Sequence, residues 1–226
     1  MKRILNEVYY VDNMEYMATV PDKFFDLAPV DPEYGININN NMGRRKNEKS
    51  SNYKKVKWDN SIPSEEYFNE LFRISRYQII WGGDYFTKYL DPNNNWIVWH
   101  KMNDGVTFSM CELAWTNFYD KNIKLFKLYN NGIPGRIHPT QKPVALYKWL
   151  LQNYTQPGWR IFDSHVGSGS SRIACYDMRF DFIGCENDPD YWQAQEDRFK
   201  NHIANRELFD TEEIQDLIYF EDEIVK

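Results

Sequence analysis

Along the chain, short apolar runs bounded by turn residues alternate with stretches whose apolar residues recur at helical spacing. Val8-Tyr-Tyr-Val11 and Phe24-Phe-Asp-Leu-Ala-Pro-Val30 read as strands, with a helical run over Met14–Thr19 between them. Pro29 has no amide donor for a ladder, which predicts either a position that is not centrally paired or a local distortion. A helix is predicted from Ser64, with Glu65 and Glu66 in its first turn and Tyr67, Phe68, Leu71 and Phe72 along one side. Tyr77–Trp81 and Trp96–Trp99 read as further strands, and 106–129 predicts two more, paired antiparallel about a turn at 119–122. Pro143 suits the first turn of a helix whose Val144, Tyr147, Leu150, Leu151 and Tyr154 share a face. The last third repeats the alternation. A strand over Arg160–Ser164 leads to a helix from Ser170 to Met178, then a strand over Asp181–Glu186 and a helix from Asp188-Pro189. This order predicts an α/β protein.

A chain of 226 residues is long enough for one domain with a full core. The net charge of −6 excludes a wholly basic nucleic-acid coat, but the charge is unevenly spread. Between Met42 and Lys57, Arg44, Arg45, Lys46, Lys49, Lys54, Lys55 and Lys57 face Glu48 alone; residues 207–226 are acidic against a single Lys226. The boundaries expected are one domain over 1–206 containing a long, basic, mobile loop at 36–60, and an acidic tail over 207–226. That tail reads as a solvated helix or a dimer element. Aromatic residues make up 17% of the chain, enough to supply both core and base-stacking groups. The tryptophans at 81, 96 and 99 fit a core, whereas Trp58 adjoins the basic loop and is the candidate for base contact.

Cys111, Cys175 and Cys185 show neither disulfide nor zinc spacing, and His100, His138, His165 and His202 are scattered, so no metal is expected. The opening Met-Lys-Arg-Ile-Leu-Asn-Glu breaks its apolar run at once, unlike a signal peptide, and no stretch suits a bilayer span. The expected setting is cytoplasmic.

Candidate chemistry concentrates at two turns. After the strand at 160–164, Gly167 and Gly169 allow backbone N–H groups close to a ligand, and the helix that follows adds partial positive charge there. Glu186 ends the next strand, where an acid can accept hydrogen bonds from ribose hydroxyls. Arg172 stands where the dinucleotide fingerprint requires a third glycine. The second turn, Asp31-Pro-Glu-Tyr34, closes an earlier strand, and Arg136-Ile-His-Pro-Thr-Gln-Lys-Pro143 lies between the two. A dehydrogenase would usually carry its cofactor half first, so this order disfavours a nicotinamide enzyme.

Taken together, His138-Pro-Thr-Gln-Lys-Pro143, Phe162-Asp-Ser-His-Val-Gly-Ser-Gly169 and the Asp31 turn resemble the β-type S-adenosylmethionine-dependent DNA amino-methyltransferases. The small adenine-specific members of phages and prophages are the most similar, and the resemblance runs from Asp12 to Phe199. It implies a Rossmann-like methyltransferase fold: a mostly parallel, doubly wound sheet with an antiparallel edge and a circularly permuted motif order. It implies S-adenosylmethionine as cofactor, with Asp163, Gly167, Gly169 and Ser170 at its methionine end and Glu186 on its ribose. His138, Thr140 and Lys142 would lie near its carboxylate and Asp12 near its adenine. Arg44, Arg45, Lys46, Lys54 and Lys55 would hold DNA phosphates, which gives affinity without sequence information. DNA is the implied partner, in the manner of a restriction–modification enzyme, with a homodimer left open and no membrane.

The implied reaction is methylation of adenine N6. Asp31 and the Pro32 carbonyl would accept the amine protons and free the nitrogen lone pair for in-line attack, with positioning and electrostatics supplying the acceleration. The base would leave the duplex and stack on Tyr34. Two departures stand out. The family turn is Asp-Pro-Pro-Tyr, and Glu33 replaces its second proline. Either Glu33 faces solvent, or it turns inward and competes with Asp31, raising the pKa of one of them. The second case predicts an impaired relative that binds DNA and cofactor, in which Glu33→Pro would speed turnover. The other departure is the short target-recognition insert, 118–136. Transfer to the cytosine amine is the remaining alternative, disfavoured because those relatives commonly begin the turn with Ser.

Overall fold

The computed structural model describes residues 5–36, 58–103, 109–119, 122–129 and 136–209. Eight strands form one sheet: β1 (Asn6–Tyr10), β2 (Phe25–Val30), β3 (Ser75–Trp81), β4 (Trp96–His100), β5 (Cys111–Thr116), β6 (Lys124–Lys127), β7 (Arg160–Asp163) and β8 (Asp181–Glu186). The helices are α1 (Asn13–Thr19), α2 (Glu65–Ile74), α3 (Val144–Tyr154), α4 (Ser170–Asp177) and α5 (Pro189–Phe209).

The strand order is β1-β8-β7-β2-β3-β5-β4-β6. Strands β1, β8, β7, β2 and β3 run parallel, and the antiparallel component is β5, within the three-strand edge. This is the mostly parallel α/β methyltransferase fold. The order reverses direction between β7 and β2, the place where an open α/β sheet leaves a crevice at its carboxyl edge.

Period-2 alternation sends neighbouring residues of each strand to opposite layers. Ile79, Trp81, Ile161 and Phe182 pack with Leu146, Leu150 and Ala174 from α3 and α4. Ile80, Phe162 and Ile183 pack on the other face with Met17 of α1 and Phe68 and Leu71 of α2. Both faces are covered, as a parallel sheet requires.

One local expectation needs correction. The strands at 106–129 do not pair with each other. Strand β5 pairs antiparallel with both β3 and β4, so β6 joins the free edge of β4, in parallel. Alternation identifies strands but carries no information about which neighbour each one takes. Pro29 lies in a central strand but is itself paired on one side only, as the first of the two expectations has it. The β2 ladder with β3 extends through Val30, whereas the pairing with β7 is at Leu27 and Ile161. The missing amide donor thus coincides with the end of the β2–β7 ladder, next to the crevice.

Candidate active site

A cavity of about 380 Å³ opens at the carboxyl ends of β2, β7 and β8 and is lined by residues of both turns. On the glycine side, Gly167 and Gly169 take φ of +52° and +75°, conformations that favour glycine. Gly169 caps α4. Glu186 braces this turn: one carboxylate oxygen accepts from the Gly167 N–H and the other from the Asp188 N–H, each at 2.9 Å. Burial raises its pKa, and those two N–H bonds oppose the shift. Asp163 is buried beneath the turn, where it accepts from the His165 N–H at 3.0 Å and the Ser171 hydroxyl at 2.5 Å. Burial pushes its pKa up to about 6. Asp163 and Gly169 shape the turn from behind, while Gly167, Ser168 and Ser170 face the cavity.

The opposite wall is the turn after β2. Tyr34 donates to one oxygen of Asp31 at 2.7 Å, and the ammonium of Lys142 lies 2.5 Å from the other. Lys142 also lies 3.0 Å from Glu112, whose second oxygen is 2.6 Å from Lys101. An alternating chain of charge, Lys101–Glu112–Lys142–Asp31, therefore runs from β5 to the turn. Only 3% of the Lys142 side chain is exposed. Burial alone would lower its pKa, but Asp31 and Glu112 raise it. Burial likewise works against the Glu112 charge, and Lys142 followed by Lys101 lowers its pKa nonetheless.

Tyr34 is wedged in place. Its ring stacks on Tyr85 with centroids 5.0 Å apart, and a Cβ on Gly82 would lie 2.3 Å from it. Gly82 itself has φ of +68°. One face of the tyrosine expected to stack a base is thus already covered by Tyr85.

His138 and Thr140 line the cavity between the two turns. The His138 Nδ1 lies 3.0 Å from the Thr140 hydroxyl, and Tyr191 packs against the ring. Burial first, then the charge of Lys142, lowers the His138 pKa to about 4, which makes it neutral near pH 7. Asp12 lies at the rim, accepting from the Met14 and Glu15 N–H groups as the N-cap of α1, while its neighbours Val11 and Asn13 line the cavity. Arg44, Arg45, Lys46, Lys54 and Lys55 lie outside the described residues, as do the Trp58 side chain and residues 210–226.

Sequence reasoning missed Glu112 and Arg198. Glu112 left a signal, a lone acid within Cys111-Glu-Leu-Ala-Trp-Thr116. Arg198 left none; it reaches from α5 to donate to the Ser168 carbonyl at 2.6 Å and the Ser170 hydroxyl at 3.0 Å. Among the described residues no group of side chains could hold a metal ion, and no helix is long and apolar enough to cross a membrane.

A methyltransferase-type α/β sheet with two facing polar turns at its switch point defines the class of this molecule. The chain belongs to the N6/N4 DNA methylase family, whose profile matches residues 34–197, well over half its length. It is similar to the type II methyltransferase M2.DpnII of Streptococcus pneumoniae, 24% identical over 145 residues, or 64% of this chain and 50% of the relative. Against M.HpaI of Haemophilus parainfluenzae the identity is 29% over 73 residues, 32% of this chain and 23% of the relative. The chain thus spans half or less of the length of these curated relatives. Among solved structures, an M1.HpyAVI–SAM complex aligns with a TM-score of 0.57 at 18% identity, covering 85% of this chain and 98% of the other. The cytosine-N4-specific PvuII DNA methyltransferase aligns with a TM-score of 0.60 at 13% identity, covering 85% and 86%. These likenesses establish the fold.

Proposed function

We propose that this protein moves a methyl group from S-adenosylmethionine to the exocyclic amine of a base in DNA, and that the base is adenine, methylated at N6. The observation that carries the reading is that one cavity is lined both by a glycine turn at a helix start and by an ionisable Asp-Pro turn. The residues present suit the cofactor. Positive-φ glycines leave room for close approach, and Glu186 is held where it can accept from ribose hydroxyls. When bound, the cofactor supplies an electrophilic methyl on a sulfonium. Neutral His138 and Thr140 provide polar contacts without adding positive charge beside it.

In this reading Asp31 and the Pro32 carbonyl accept the two amine protons, which localises the nitrogen lone pair and aims it at the methyl group. Lys142 and Tyr34 hold the two Asp31 oxygens in place for that task, and Glu112 balances the ammonium. Adenine is favoured over cytosine because the turn begins with Asp31 and not Ser. Incubation with labelled cofactor and mixed-sequence DNA, followed by digestion to nucleosides, tests the assignment: N6-methyladenine is expected, and N4-methylcytosine alone overturns the choice of base.

Two outcomes follow. Glu186→Ala is expected to weaken cofactor binding by about tenfold or more in calorimetry, since a charged hydrogen-bond acceptor contributes roughly 1.5–3 kcal/mol. A modest fall in melting temperature should accompany it, because the Gly167 and Asp188 N–H groups lose their acceptor. The segment 42–57 is proposed to hold phosphates. Affinity for unrelated DNA should then fall linearly with salt on a log–log plot, and neutralising Arg44, Arg45, Lys54 and Lys55 should flatten the slope by about 3–4. An unchanged slope removes the segment from the DNA interface.

A further inference from the structure

Glu33 is turned into the cavity, with Oε2 3.4 Å from Nε2 of His165. His165 belongs to the other turn, between β7 and the glycines. Its ring is held from three elements. Nδ1 lies 2.8 Å from the Ser164 hydroxyl, which is 2.7 Å from the buried Tyr67 hydroxyl of α2. Tyr67 also packs edge-on against the imidazole, with centroids 5.4 Å apart. The Asn13 amide of α1 lies 3.0 Å from Nε2 and reaches the Ser164 carbonyl at 3.4 Å. The imidazole is therefore a fixed point to which Glu33 is fastened.

The competition expected between Asp31 and an inward Glu33 is absent from this arrangement. Asp31 faces Lys142 and Tyr34, whereas Glu33 faces His165, so each carboxylate has its own cation or donor. Burial alone would raise the Glu33 pKa, yet the neighbouring His165 brings it below the usual 4.5. Burial would lower the His165 pKa, but Glu33, then Asp163 and Glu186, raise it above 6.5. Each group thus favours the charged form of the other.

We infer that Glu33 and His165 form a positioning pair that ties the Asp31 turn to the glycine turn and sets the direction of the Pro32 carbonyl. The inference rests on the methyltransferase reading. The peptide plane joining Pro32 to Glu33 carries the carbonyl proposed to accept an amine proton. A proline at 33 would restrain that plane through its ring, by fixing φ. Glutamate leaves φ free, and the restraint is supplied by holding its carboxylate against the fixed His165 ring. The same tether links the cofactor wall of the cavity to the target wall, so order at one is passed to the other.

The test compares wild type, Glu33→Gln and Glu33→Pro by methyl transfer at saturating cofactor and DNA, with the His165 imidazole titrated by NMR. Glu33→Gln is expected to lower kcat about ten- to hundredfold, the scale of a misplaced reacting group, with KM changed less than about threefold. His165 should then titrate at lower pH than in wild type. Glu33→Pro restores the restraint covalently and is expected to recover most of the lost turnover. The pH profile separates the two devices. The raised His165 pKa means that its charge is present at low pH and lost as pH rises through that value, so wild-type kcat should fall on the alkaline side. The lowered Glu33 pKa means that its charge is lost only as pH falls below 4.5. Glu33→Pro should lack the alkaline limb. Equal kcat and equal His165 titration in wild type and Glu33→Gln overturn the pair alone, as does a Glu33→Pro variant as slow as Glu33→Gln. A wild type that transfers no methyl to any DNA overturns the enzymatic reading, and this inference with it.

Discussion

Asp31→Asn is expected to lower methyl transfer by about 10²–10³-fold, the loss seen when one preorganised group at a developing charge is removed. The substitution keeps the shape of the side chain but removes its charge. Asparagine can still accept from the Tyr34 hydroxyl through its carbonyl oxygen. Its NH₂ would then meet Lys142, donor against donor, where the aspartate oxygen now lies at 2.5 Å. The remaining amide oxygen is a weaker acceptor than a carboxylate, so the target amine keeps more of its delocalised lone pair. Cofactor affinity should change little, because Gly167, Ser170 and Glu186 lie on the other wall. Single-turnover kinetics with parallel calorimetry separates the two effects. A variant within tenfold of wild type in the methyl-transfer step would remove Asp31 from the chemistry.

Lys142→Met has the largest expected effect on stability. Methionine fills similar space but leaves Asp31 and Glu112 without the buried cation between them. Breaking a buried pair from one side costs about 3–5 kcal/mol. Lys101 still lies 2.6 Å from Glu112, which places the expected loss at about 3 kcal/mol. For a chain of this size that is a fall in Tm of about 6–12 °C. The pH dependence gives a second signature. Lys142 and Lys101 lower the Glu112 pKa, so their contribution is present above the usual carboxylate range and disappears as pH falls through the folded value. The deficit should therefore be greatest near neutrality and shrink in acid. Adding Glu112→Gln should recover part of the lost stability. An unaltered melting temperature at pH 7 would mean that water already compensates these charges.

Much of this was legible in the chain. Strands such as Asp181–Glu186 and the helix after Pro143 announced themselves, because period, flanking turns and burial all agree there. The two turns could be found because glycine and Asp-Pro have local backbone consequences. What stayed hidden was partnership between distant residues. Lys142 was read as a cofactor group from its neighbours in sequence, and only the folded sheet reveals that β5 brings Glu112 against it. Rivalry between Glu33 and Asp31 is suggested by their closeness in the chain, two positions apart. The actual partner of Glu33, His165, arrives on the turn that follows β7. A side chain's charge is written in the sequence, but the cation that balances it is set by topology.

The pairing of β2 with β7 also bears on how the molecule is made. Asp26 accepts from the Arg160 N–H across 134 positions, and Leu5 donates to Asp181 across 176. Strands β2 and β1 therefore take a parallel partner from a segment that leaves the ribosome much later. Such distant pairings slow folding, since loop closure must precede the contacts that reward it. Until β7 and β8 emerge, β2 can pair with β3 alone, and the glycine turn does not yet exist. The Asp31 wall is thus synthesised first and stays unpartnered through most of translation. A ribosome-bound chain halted before Arg160 should expose its β2 edge to chaperones and proteases, and protection should rise sharply once Glu186 has cleared the exit tunnel.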